Sequence, residues 1–253
     1  PYVWSLVQGP LRASLDNPAA IGNGDEEAIT GLAEGNIMSG LAMQAAQSSR
    51  PASGAGHQFS HTWEMEGHGL DWEPPLSHGM KVGVGTVASL AIWEEALQID
   101  MDALDVEAIV AAAKTDEQIE ERVRSLLIPT IADEAVGHAV FKNLQGDELR
   151  QRIRDIQRVW PSVRARVESQ LMSPEEAAER LDAVGGPSHP EQIGVDMDRF
   201  RETHFKAQMI RSRYTILDVL TDIGKLDDVV DKLFAPDGYW GKHFHADKEI
   251  SNV

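Results

Sequence analysis

The chain has 253 residues, 42% of them hydrophobic, enough to bury the core of one large domain or two ordinary ones. A formal charge of −18 and a pI near 4.8 argue against duplex DNA or an anionic membrane as partner, because both favour a positive face. Cysteine is absent, which excludes a disulfide framework, a thiolate nucleophile and a sulfur-ligated metal, and fits a cytoplasmic protein.

No apolar run reaches about 18 residues and no basic-then-apolar leader is present, so neither a membrane span nor a signal peptide is expected. The first residue is proline, not methionine, and we therefore expect a processed or truncated piece of a longer protein. Helical periodicity dominates the chain. From Asp25 to Ser48, Ile29, Leu32, Ala33, Ile37, Leu41 and Ala45 recur mostly every three or four residues, giving a helix with one apolar face that Arg50-Pro51 ends. A histidine-bearing segment from Arg50 to Thr86 comes next, with His57 and His61 at helical spacing, a loop rich in glycine and proline, and Ser77 as N-cap of a helix that starts at His78. Helical stretches then run over Val82 to Leu97, Val106 to Ala113, Glu117 to Leu127, Ile131 to Leu144 and Asp147 to Leu171, the last with a kink or break at Pro161. Ser173-Pro174-Glu175-Glu176 reads as a helix start with a capping box, closed by Gly185-Gly186-Pro187. Phe200, Ala207, Ile210, Tyr214, Leu217 and Leu220 trace one further apolar stripe, Val229 to Phe234 another, and the tail from Lys242 is polar and frayed. Alternating β-branched runs are nearly absent, so the fold class is all-α.

The chemistry concentrates in the histidines. His57 and His61 share a helix face, and the loop through Gly67, His68, Gly69, Pro74 and Pro75 can fold the chain back so that His78 joins them. At the first turn of its helix the positive end of the dipole favours neutral imidazole, the form that binds metal. A catalytic site keeps about three protein ligands and an open position, and a carboxylate to complete this set is not obvious. The zincin pattern is excluded, because Gln58 stands where its general base would be. On spacing alone, two such histidines are more often structural or exposed than a ligand pair.

The stretch Ser39-Gly40-Leu41-Ala42-Met43, then Ser49-Arg50-Pro51-Ala52-Ser53-Gly54, His57, His61 and His78-Gly79-Met80-Lys81-Val82-Gly83-Val84-Gly85-Thr86 resembles the sn-glycerol-1-phosphate dehydrogenases. These belong to the iron-containing alcohol dehydrogenase and dehydroquinate synthase-like superfamily. Phe200 to Thr203 and Arg211-Ser212-Arg213-Tyr214-Thr215-Ile216-Leu217-Asp218 are similar to the same family's C-terminal region. The resemblance implies that residues 1–253 are a multi-helix C-terminal domain binding metal and substrate, and that an N-terminal nucleotide-binding domain is absent from this chain. It implies a divalent metal, zinc first and nickel or iron next, held by an aspartate and two histidines, His57 and His78. His61 then faces the substrate or the nicotinamide of NAD or NADP, as the catalytic and substrate-binding residue. The implied substrate is a small phosphorylated polyol, with no nucleic-acid or membrane partner, and a homo-oligomer is compatible. The ligand aspartate lies upstream of this chain, and Gly56 stands where the family carries glutamate.

Other patterns have plainer readings. Gly83-Val84-Gly85-Thr86-Val87-Ala88 fits a dinucleotide fingerprint in form only, since no strand precedes it; its glycines suit close helix packing. Arg150, Arg152, Arg154, Arg158, Arg164 and Arg166 alternate with acids as a solvated, ion-paired face. Arg50 has two readings of equal weight: a bidentate contact to substrate phosphate, or a cap on the helix before it. His243 and His245 fall in the polar tail.

Overall fold

In the computed structural model, residues 15–243 and Val7 are described, and among them every regular element is helical. Side-chain caps set most of the boundaries. The helices are α1 (Pro18–Gly22), α2 (Glu26–Ala46), α3 (Ala55–Met65), α4 (His78–Ala96), α5 (Val106–Ala111), α6 (Asp116–Leu126) and α7 (Pro129–Lys142). After them come α8 (Gly146–Glu168), α9 (Pro174–Ala183), α10 (Met197–Met209), α11 (Ile216–Asp222), α12 (Leu226–Phe234) and α13 (Tyr239–His243). Ser77 caps α4 as its sequence suggests, accepting from Met80 N at 3.2 Å. The side chain of His243 and all of His245 lie outside the described residues.

Three boundaries differ from the sequence reading. The stripe from Phe200 to Leu220 is two helices, because Thr215 opens α11 with its own capping box: its hydroxyl accepts from Leu217 N and Asp218 accepts from Thr215 N at 2.6 Å. Ser173 makes only half of a box; its hydroxyl accepts from Glu176 N, while the Glu176 carboxylate turns to Arg180 at 2.7 Å. α8 runs unbroken through Pro161, with Ile153, Ile156 and Trp160 buried along one face.

The core joins α3, α4, α10 and α12. Phe59, Trp63, Phe200, His204, Phe234 and Trp240 form its aromatic centre, with ring centroids 4.8 Å apart for Phe59–His204 and for Phe200–Trp240. A buried ion network closes one side: Glu66 binds Arg199 at 2.8 Å and Lys206 at 3.0 Å. The arginine-rich face of α8 is ion-paired, with Arg150 held by Glu107, Arg158 by Asp155 and Arg164 by Glu168.

α2 stands apart. Its apolar face has no core to enter: Ala42 alone is buried, and Ile37 is 63% exposed. It touches chiefly α1 and the 3-10 turn Arg50–Ala52, so periodicity made the helix but nothing among the described residues covers it.

Candidate metal and substrate site

The site is built by two helices pressed backbone to backbone. A Cβ on Gly85 of α4 would lie 2.3 Å from the Gly56 oxygen of α3, and one on Gly56 would lie 3.0 Å from the Gly85 oxygen. This contact accounts for glycine at position 56: a side chain there would force the helices apart. It also places Gly83 and Gly85 inside a helix rather than in a nucleotide loop.

Across this junction the three histidines meet. Ring centroids are 5.6 Å apart for His57–His78, 5.9 Å for His61–His78 and 6.2 Å for His57–His61. A metal held at about 2.0–2.1 Å by two imidazole nitrogens puts their centroids roughly 5 Å apart, so the spacing suits a shared ion after a small adjustment. Among the described residues, no group of three histidine, aspartate or glutamate side chains is gathered closely enough to hold an ion by itself. The imidazoles are of a type that could hold a metal, and an ion here would need a further donor.

Glu64, which the sequence reading passed over, ties the cluster together. Its Oε1 is 2.6 Å from His78 Nδ1 and its Oε2 is 3.1 Å from His61 Nδ1. Burial pushes this carboxyl's pKa up, but the hydrogen bonds from His78 and His61 outweigh burial and hold it below the usual glutamate value. The carboxylate fixes both rings with Nδ1 inward, leaving Nε2 of each for a ligand. A signal was present: 57, 61 and 64 follow helical spacing, so the carboxylate shares the histidine face.

His57 is half-buried and its pKa is lowered, first by burial and then by the charges of His78, His61 and Arg213 against the opposing charge of Glu64. These effects favour the neutral ring, the form that binds metal. Arg213 is the second residue the sequence reading missed as a site group, although it lies in the quoted Arg211–Asp218 motif. Its guanidinium donates to Ser53 O and to Ser49 Oγ, and its backbone oxygen accepts from Gln58 Nε2 at 3.4 Å. Arg50 is exposed, and its charge adds to burial, the larger cause, in lowering the pKa of Arg213. Among the described residues its guanidinium caps no carbonyl of α2, which Gln47 closes in the left-handed conformation at φ 46°.

The fold and the site thus define an all-helical domain that presents three imidazoles, a carboxylate behind them and two arginines beside them. Comparison with known proteins gives that class its relatives. Over 224 residues the chain is 30% identical to the glycerol-1-phosphate dehydrogenase (NAD(P)+) of Geobacillus stearothermophilus, covering 88% of this chain and 46% of that relative. Proteins of the same name from Bacillus velezensis and Pyrococcus furiosus are 47% identical over 78 residues and 45% over 86; these spans cover 31% and 34% of this chain, and 20% and 23% of the relatives. No family model matches the chain, and no solved structure matches it. Over the region it spans, the chain is homologous to proteins named glycerol-1-phosphate dehydrogenase (NAD(P)+). It covers less than half the length of the relatives it matches.

Proposed function

We propose that the parent protein is an NAD(P)-dependent, divalent-metal-dependent dehydrogenase that interconverts sn-glycerol 1-phosphate and dihydroxyacetone phosphate, and that this chain provides the helical wall of its active site. The observation that carries the reading is the meeting of His57, His61 and His78 within about 6 Å, in a chain homologous to dehydrogenases of that name. His57 and His78 would hold the ion, zinc first and nickel or iron next. When bound, such an ion supplies Lewis acidity, polarising the ketone or lowering the pKa of the alcohol.

The chain's own residues then have separable tasks. Glu64 keeps the His61 and His78 rings in one tautomer and one orientation. His61 orients the substrate hydroxyl and relays its proton at the ring nitrogen that Glu64 does not engage. Arg50 and Arg213, on the α2 side of His57, meet the substrate phosphate. The nicotinamide and the remaining metal ligand belong to a part of the parent that this chain does not span. The uncovered apolar face of α2 supports that division.

Steady-state assay of the intact parent with glycerol 1-phosphate, glycerol and other polyols tests the proposal. NAD(P) reduction that requires both a divalent ion and the phosphate is expected. Turnover of glycerol at equal efficiency would favour a polyol dehydrogenase, and absence of turnover with every ion would refute the reading. The 253-residue chain alone is expected to be inactive, as a non-catalytic helical module.

A further inference from the structure

A cavity of about 450 Å³ opens between α5, α6, α7, α10 and α11, and none of His57, His61, His78 and Arg50 lines it. Its size falls within the range of small-molecule sites, which in helical proteins lie between helices. The interior is largely apolar, with Ile109 and Ile119 on one side and Phe205 and Met209 on the other.

The charges are distributed unevenly along it. At the floor, Lys142 Nζ is 2.7 Å from Asp218 Oδ1, and both side chains are buried. Asp218 also accepts from Gln208 Nε2 at 3.0 Å and from Thr215 N at 2.6 Å, so the floor is polar but neutral and internally satisfied. Asp222 is likewise engaged, by the Tyr214 hydroxyl at 2.6 Å and by Arg152 at 3.4 Å. Toward solvent, Arg122 pairs with Asp227 at 3.2 Å and lies over the Phe205 ring. Lys114, on the same rim, has no carboxylate within ion-pairing distance among the described residues. At the entrance Lys114 therefore stands outside any ion pair of the described residues, although Asp227 acts on it at longer range and Asn143, bound to the Lys114 oxygen, also holds the Asp116 carboxylate at 2.8 Å.

We propose that this cavity is a second binding site, separate from the histidine cluster, for a small amphipathic monoanion. The apolar body of a medium-chain carboxylate would fill the chamber against Ile109, Ile119, Phe205 and Met209, and its carboxylate would meet Lys114 and Arg122. Burying an alkyl body there is favoured by removal of its surface from water. A head group left at the rim stays partly hydrated, which avoids the cost of burying a charge. The reading is independent of the dehydrogenase proposal, since no residue is shared.

Titration of the 253-residue chain with octanoate tests it, by calorimetry and by methyl NMR of Ile109 and Ile119. One molecule should bind per chain, saturably, with both methyl groups shifting. Lys114→Glu, at an exposed position that leaves the fold intact, should weaken binding by about tenfold or more. Ala139→Phe, which fills the chamber, should abolish it. Absence of saturable binding overturns the proposal. So does binding that leaves the two isoleucines unmoved or is insensitive to Lys114→Glu, and so does octylamine binding as tightly as octanoate.

Discussion

Replacing Gly85 by alanine tests the link between the α3–α4 contact and the histidine site. The new Cβ would lie 2.3 Å from the Gly56 oxygen, 3.1 Å from its carbonyl carbon and 3.0 Å from Phe59 Cβ. Two of those atoms are backbone and the third is held in the core, so the helices must separate by about 1 Å to restore ordinary contact. Alanine in a helix interior gains about 1 kcal/mol over glycine, whereas overpacking a core costs about 1–3 kcal/mol, and here the contact is with backbone that cannot rotate away. The cost wins. We expect a net destabilisation of about 1–2 kcal/mol, a fall in Tm of roughly 2–8 °C for a chain of this size. Gly137→Ala on α7 is the control, because a Cβ there has nothing within 4 Å and only the propensity gain remains. Thermal denaturation of both variants, followed by circular dichroism, gives the comparison. Cobalt(II) titration of Gly85→Ala should in addition show weakened binding, since His57 and His78 ride on the two helices being separated. If Gly85→Ala melts at or above the wild type while Gly137→Ala rises as expected, the close-contact reasoning is wrong.

Removal of the Glu64 carboxylate by Glu64→Ala should weaken cobalt or zinc binding by the parent about 10–100-fold, with Glu64→Gln recovering part of it; titration with a competing chelator measures this. His204 is fully buried and its pKa is pushed down to about 4, first by burial, against the opposing hydrogen bond to the Phe200 carbonyl at 2.9 Å. Its folded pKa is below the unfolded value, so its contribution is present above about pH 6.5 and lost as pH falls toward 4, at most about 3 kcal/mol. His204→Leu should flatten urea-denaturation stability across that window, and an unchanged pH slope would contradict the assignment. Glu66→Ala leaves Arg199 without its carboxylate and Lys206 with only Glu202 at 3.3 Å, and a loss toward the lower end of about 3–5 kcal/mol in denaturant unfolding is expected.

What residues 15–243 owe to sequence alone is their helical class, most helix spans and several caps, such as Ser77. Those features depend on groups within about four positions of one another, so composition and spacing carry them. The histidine spacing and the family motif likewise marked His57, His61 and His78 before any fold was known. Tertiary structure decided the rest. It split the Phe200–Leu220 stripe at Thr215, left the apolar face of α2 uncovered, and set Arg213 beside Ser49 and Ser53, 160 or more positions away in the chain. It also turned Glu64 toward two rings, one of them 14 residues downstream on another helix. Such pairings depend on how closely two helices approach, here permitted by Gly56 and Gly85. That approach is a property of complementary surfaces, which a linear pattern of residue types does not encode.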